Sequence, residues 1–151
     1  MTGKVLQMAI VNGPNLNWVG RREPEVYGSK SLQAYLEQLV QAQGSSHRVT
    51  LFQSHHAGRL IDFLQQQADE GLSGALINPG AYAHTSLALG DCVASLPYPV
   101  IEIHLSNIYR REKVRHHSFI APHCLGVISG LGLHSYQLGL EALIHHLSEP
   151  R

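Results

Sequence analysis

Short apolar runs alternate with amphipathic segments along all 151 residues, and few folds tolerate that alternation. Lys4 to Val11 (KVLQMAIV) is mostly apolar and reads as a strand covered on both faces. Arg48 to Gln53 (RVTLFQ), Gly74 to Asn78 (GALIN), Pro99 to His104 (PVIEIH) and Leu125 to Ile128 read as four more strands. Between them, Leu32, Tyr35, Leu36, Leu39 and Val40 recur at helical spacing from near Ser31 until Gly44. Leu60, Ile61, Leu64 and Ala68 mark a second helix stopped at Gly71. Thr85 or Ser86 can N-cap a third that runs to about Ser95, and Leu133 to Leu147 is a closing amphipathic helix.

Strands that alternate with helices predict an α/β chain with a parallel sheet and helices on both faces. Five strands suit the flavodoxin-like order 2-1-3-4-5. There is no internal repeat, no low-complexity tract and no second domain, so residues 1–151 read as one domain. In such sheets ligands bind at the carboxyl ends of the strands, where the strand order reverses, here between strands 1 and 3. The segments leaving those ends are Asn12-Gly-Pro-Asn15 and Asn78-Pro-Gly-Ala-Tyr-Ala-His84; strand 4 adds His104, Ser106 and Asn107. Asn and Gly are common turn formers, so one such cluster is unremarkable. Three on one sheet edge point to a site.

The connection from Asn12 to Ser29 is far longer than the roughly 2–6 residues of an ordinary strand-to-helix loop. Its two Pro, three Gly and three Asn oppose regular structure. Leu16, Trp18, Val19, Val26 and Tyr27 offer apolar anchors, which argues against disorder. The expectation is a lid over about residues 16–29 that closes on a ligand and carries an Arg, from the Arg21-Arg22 pair, and a Tyr to it.

Formal net charge is zero, which removes the electrostatic case for nucleic acid or an anionic membrane as partner. Charged residues make up only 15% of the chain, a hint that subunits cover part of its surface. Cys92 and Cys124 lie in apolar surroundings and read as buried free thiols of a reducing compartment. With no signal peptide before strand 1 and no run long enough to span a bilayer, the expected location is cytoplasmic.

Several chemistries lack their residues. There is no P-loop, no G-x-S-x-G elbow, no H-E-x-x-H and no Cys cluster at zinc spacing. Gly130-Leu-Gly132 lacks the rest of a dinucleotide fingerprint. A receiver domain needs acidic residues where this chain has Asn12 and Asn15. The three Lys sit outside apolar runs that would lower their pKa, against Schiff-base catalysis.

NGPNLN after strand 1, REPEVYG in the loop, NPGAYAHTS after strand 3, and IEIHLSN followed by RHHS together resemble the type II 3-dehydroquinate dehydratases, across nearly the whole chain and in order. That resemblance implies a flavodoxin-like subunit assembled as a dodecamer of trimers. It implies dehydration of 3-dehydroquinate to 3-dehydroshikimate, in the shikimate or quinate route, without metal or organic cofactor. By position, Tyr27 matches the catalytic base and Arg22 the arginine that supports it. His104 matches the general acid, and Glu102 the carboxylate that orients it. Asn15 matches an asparagine that holds a water near the enolate. Leu105 and Ser106 match residues that hold the substrate, as do Asn78 and His84. Arg115 matches a carboxylate-binding arginine, and Asp91 an acidic residue reaching in from a neighbouring subunit. The chain departs from the pattern at Trp18-Val19, Gly90, Tyr109-Arg110 and Lys113-Val114, which bears on loop packing and subunit contacts rather than chemistry.

The chemistry can use these residue types. A tyrosine with a reference pKa of about 10 is roughly 0.1% ionised near pH 7. A guanidinium within about 4–6 Å can lower that value by about 1–3 units. Tyr27 is otherwise a loop anchor with its hydroxyl in water. Glu102 and His104 are two apart on a strand and share a face, so the carboxylate can hold the imidazole ready to donate a proton; otherwise His104 is an ordinary strand-end histidine. Arg115 can grip a carboxylate bidentately or be a solvated charge. Asp91, on an apolar helix, is either paired within the chain or partnered across a symmetric contact. The competing functional readings are a flavodoxin-like small-ligand binding module without turnover, and an assembled subunit without activity.

Overall fold

In a computed structural model of the chain, residues 3–21 and 31–150 are described. Five strands, β1 (Leu6–Asn12), β2 (His47–Gln53), β3 (Gly74–Asn78), β4 (Val100–His104) and β5 (Gly126–Ser129), form one sheet in the order β2-β1-β3-β4-β5. Every neighbouring pair is parallel. This is the flavodoxin-like order expected from the alternation of strands and helices.

Four α-helices cover the sheet: α1 (Leu32–Ala42), α2 (Ala57–Asp69), α3 (Leu87–Ser95) and α4 (His134–Ser148). Strand alternation decides which side chains meet which helices. Met8, Ile10, Leu76 and Ile103 pack with Leu36 of α1 and Leu140 of α4 on one face. Ala9, Val11, Ala75 and Ile77 pack with Leu60 of α2 and Leu89 of α3 on the other. β1 and β3 are thereby covered on both sides, which is why their sequences are continuous apolar runs rather than alternating ones.

Local chemistry sets the helix ends. Ser31 accepts a hydrogen bond from the Ala34 amide and caps α1. Of the two candidate caps for α3, Ser86 serves, accepting from the Leu89 amide, while Thr85 bonds to the Ala81 carbonyl. Gly44 ends α1 at φ 56°, a left-handed conformation that costs glycine least.

Two details differ from the sequence reading. Trp18 does not anchor the loop after β1: it is 51% exposed, with Arg21 stacked over its ring at 5.4 Å, while Leu16 and Val19 are buried. A short 3-10 turn at Leu16–Trp18 points Leu16 inward and leaves the indole outside. Cys92 is buried but Cys124 only half-buried, because Cys124 lies where the chain leaves a surface turn for β5; both are free thiols. Val26 and Tyr27 lie outside the described residues, as does most of the expected lid. Among the described residues, no helix is long and apolar enough to cross a membrane.

Candidate active site

Parallel register brings the carboxyl ends of β1, β3 and β4 to one sheet edge, and Asn12 pairs with Asn78 across the point where the order reverses. The Gly13 amide donates to the Asn78 carbonyl at 2.8 Å. A Cβ on Gly13 would run into the Pro79 carbonyl, so only glycine lets the two strand ends approach this closely. Beneath the edge, Tyr136 of α4 is fully buried between the two asparagines. Its hydroxyl donates to Asn12 Oδ1 at 2.6 Å and accepts from Asn78 Nδ2 at 2.8 Å. Burial pushes the Tyr136 phenol well above its usual value, against a smaller opposite pull from Asn78, so the proton it gives Asn12 stays in place. Asn78 Oδ1 accepts from the Gly80 amide, which fixes the orientation of the amide group.

The resulting crevice is lined by Asn15, Asn78, His84, His104, Leu105, Ser106 and Arg115, all candidates from the sequence. The expectation that Glu102 and His104 share a face holds: His104 Nε2 lies 2.6 Å from Glu102 Oε2, with the carboxylate 0% and the imidazole 5% exposed. A buried carboxylate needs partners. The second comes from Ser118, whose hydroxyl donates to Glu102 Oε1 at 2.9 Å. With Nε2 engaged, His104 has Nδ1 left for a ligand.

His84 stacks beside His104, ring centroids 6.0 Å apart. Its Nδ1 lies 2.8 Å from the His117 carbonyl, which can only accept, so Nδ1 carries the proton and neutral His84 keeps a lone pair on Nε2. Burial chiefly lowers the pKa of His84. The His117 carbonyl and Glu102 pull it up, while His104 and Arg115 push it further down.

Two arginines face the crevice. Arg115 donates through Nε to both carboxylate oxygens of Glu112 at 3.2 Å, leaving its terminal nitrogens without a partner among the described residues. Glu112 is held below the usual carboxylate range, first by its own backbone amide and then by Arg115. Arg111, four residues earlier at a separate extended position, also lines the crevice and lies 3.5 Å from the Ser106 hydroxyl. Sequence reasoning passed over it as one charge in a basic stretch, and with no regular period there the sequence offered no signal for it. Ser118 and Tyr136 were missed as well, since neither lines the crevice: Tyr136 reaches it through Asn78, and Ser118 through Glu102 and then His104.

Asn15 adopts a left-handed conformation, φ 68°, which asparagine tolerates better than most residues. Its amide donates to His55 Nδ1 at 3.1 Å. Asp91 is not brought to this crevice; it occupies an exposed position on α3. Arg22 and Tyr27 lie outside the described residues. No group of three or more metal-ligating side chains occurs among the described residues.

Comparison with known proteins places this geometry. The family model "Dehydroquinase class II" matches residues 6–144. The chain is 51% identical over 139 residues to the 3-dehydroquinate dehydratase of Acaryochloris marina (strain MBIC 11017), covering 91% of this chain and 93% of that one. It is 48% identical over 136 residues to the 3-dehydroquinate dehydratase of Bacillus pumilus (strain SAFR-032), covering 89% and 92%. The crystal structure of type II dehydroquinase from Butyrivibrio crossotus DSM 2876 superposes with a TM-score of 0.90 at 38% identity, covering 93% of this chain and 99% of that one. A match that runs from β1 into α4, around a strand-end crevice of the expected residues, makes this chain a member of the class II dehydroquinase family.

Proposed function

We propose that the chain dehydrates 3-dehydroquinate to 3-dehydroshikimate through an enolate, with the crevice as its active site. The observation that carries this reading is the buried Glu102–His104 pair at the end of β4, facing a pocket that also holds His84 and Arg115. Membership of the family and the dehydratase activity for which its relatives are named support it.

In this reading the lid delivers Tyr27 as phenolate, held ionised by Arg22, and Tyr27 takes the proton alpha to the substrate ketone. The electron pair moves onto the ketone oxygen, where a water held by Asn15 stabilises the enolate. As the enolate collapses, the carbon–oxygen bond to the beta hydroxyl breaks. His104 gives that oxygen the proton from Nδ1, and water leaves. Glu102 fixes the imidazole through Nε2. Arg115 grips the substrate carboxylate through its terminal nitrogens. Leu105 and Ser106 hold one side of the ring; Asn78 and His84 meet its hydroxyls. Tyr27 ends the turnover protonated and His104 one proton short, so a proton passes back from one to the other through solvent before the next; no step is assigned to a metal or organic cofactor. Asp91 acts across a subunit contact in a dodecamer of trimers, in the cytoplasm.

The product is a conjugated enone. Purified protein given 3-dehydroquinate should show rising ultraviolet absorbance. A flat trace from well-folded, chelator-treated protein would overturn the reading in favour of a binding module. Tyr27→Phe should abolish turnover while preserving ligand binding; turnover at the wild-type rate would remove Tyr27 as base.

A further inference from the structure

The segment from His117 to Ala121 does not line the crevice, yet it is tied to both of its histidines, to His84 directly and to His104 through Glu102. The His117 carbonyl fixes His84 through Nδ1. Ser118, next in the chain, fixes the other side. The Ser118 oxygen accepts from the Ile120 amide at 3.1 Å and the Ala121 amide at 3.0 Å. Amides only donate, and a hydroxyl has two lone pairs and one proton. Both lone pairs are filled, so the proton has one destination, Glu102 Oε1 at 2.9 Å. The Phe119 amide bonds to the Ala83 carbonyl at 2.8 Å and holds the segment against the residue before His84.

We propose that Ser118 is a positioning residue of the reaction: its hydroxyl locks the buried Glu102 carboxylate in the rotamer that keeps His104 Nδ1 aimed into the crevice. The inference rests on the dehydratase reading above. Without Ser118 the carboxylate keeps one partner, His104, and loses the contact that opposes its rotation. Proton delivery to the leaving hydroxyl then suffers, while substrate contacts remain.

The test pairs Ser118→Ala with Ser118→Thr, which keeps a hydroxyl. The alanine variant should lose kcat by about tenfold, what one ordinary hydrogen bond is worth in a rate, with KM within about twofold of wild type. The threonine variant should regain most of the rate. A second readout is the ring N–H proton of His104 in the NMR spectrum, which a short bond to a carboxylate moves far downfield. It should broaden or move upfield in the alanine variant and persist in the threonine variant. Wild-type kcat in folded Ser118→Ala, or loss of kcat and KM together in step with melting temperature, would overturn the proposal. Should the alanine variant not fold, Ser118→Cys, a weak donor, should show the same loss of kcat at unchanged KM; wild-type kcat there would overturn it. Absence of turnover in the wild-type protein defeats the dehydratase reading instead, and the downfield proton still reports whether Ser118 holds Glu102.

Discussion

Tyr136 shows how one buried hydroxyl builds the floor of the crevice. It sits between Asn12 and Asn78, giving its proton to one and taking one from the other. Tyr136→Phe leaves Asn12 Oδ1 without its donor and one Asn78 N–H without its acceptor, in a place water does not reach. The expected cost is about 1–3 kcal/mol, read as a lower urea midpoint at unchanged m-value. Neighbouring His84 predicts a pH dependence. Its folded pKa lies below the ordinary imidazole value, chiefly through burial, so the folded state prefers the neutral ring. The stability this confers is complete above the unfolded value of about 6.5 and is lost as pH falls through the depressed folded value. In the folded protein the Nε2 lone pair is protonated only as pH falls through that depressed value, so the rise in KM should begin on the acid side of the ordinary imidazole value; a KM that stays flat to the acid limit of folding would remove His84 as an acceptor.

At the scale of elements, α3 and the segment carrying Ser118 depend on one another. Gly90 sits on the buried side of α3, where a Cβ would come within 2.5 Å of the Phe119 carbonyl oxygen. Glycine at this position therefore goes with a close backbone approach. Gly90→Ala must push the segment away or distort the helix, at an expected cost of about 1–3 kcal/mol in thermal or urea unfolding. Because Phe119 adjoins Ser118, kcat should fall as well; an alanine variant of wild-type stability and rate would mean the two elements yield freely. The start of the long connection after β1 is held by the buried Leu16 and Val19 and by the bond from Asn15 to His55, while Trp18 stays on the surface.

For the whole molecule, large apolar side chains lie exposed on one chain: Leu87 on α3, Val127 on the edge strand β5, and Tyr109 and Val114 in the basic segment. Together with the sparse surface charge, they support the proposed assembly. Sedimentation should give a mass near that of a dodecamer, and Asp91→Ala should weaken assembly or raise KM. A monomer with full activity would remove the role proposed for Asp91, which is exposed on the single chain and away from the crevice. Cys92 and Cys124 add nothing to the chemistry; burial raises both thiols, Cys124 to about 12, so alkylating reagents should modify them slowly in the folded protein.

Much of this was legible in the linear chain. Element type, strand order and the crevice at the strand ends follow from apolar periodicity, which reports burial face by face and needs no knowledge of neighbours distant in sequence. The Glu102–His104 pair was equally readable, because a strand places alternate residues on one face. Ser118 and Tyr136 escaped for a single reason: each matters through a partner brought near only by packing. Tyr136 lies 124 residues from Asn12, and Ser118 lies 16 from Glu102 across a surface segment with no regular period. Hydrogen-bond direction depends on which lone pairs are already filled, and that is settled only when the helices close over the sheet.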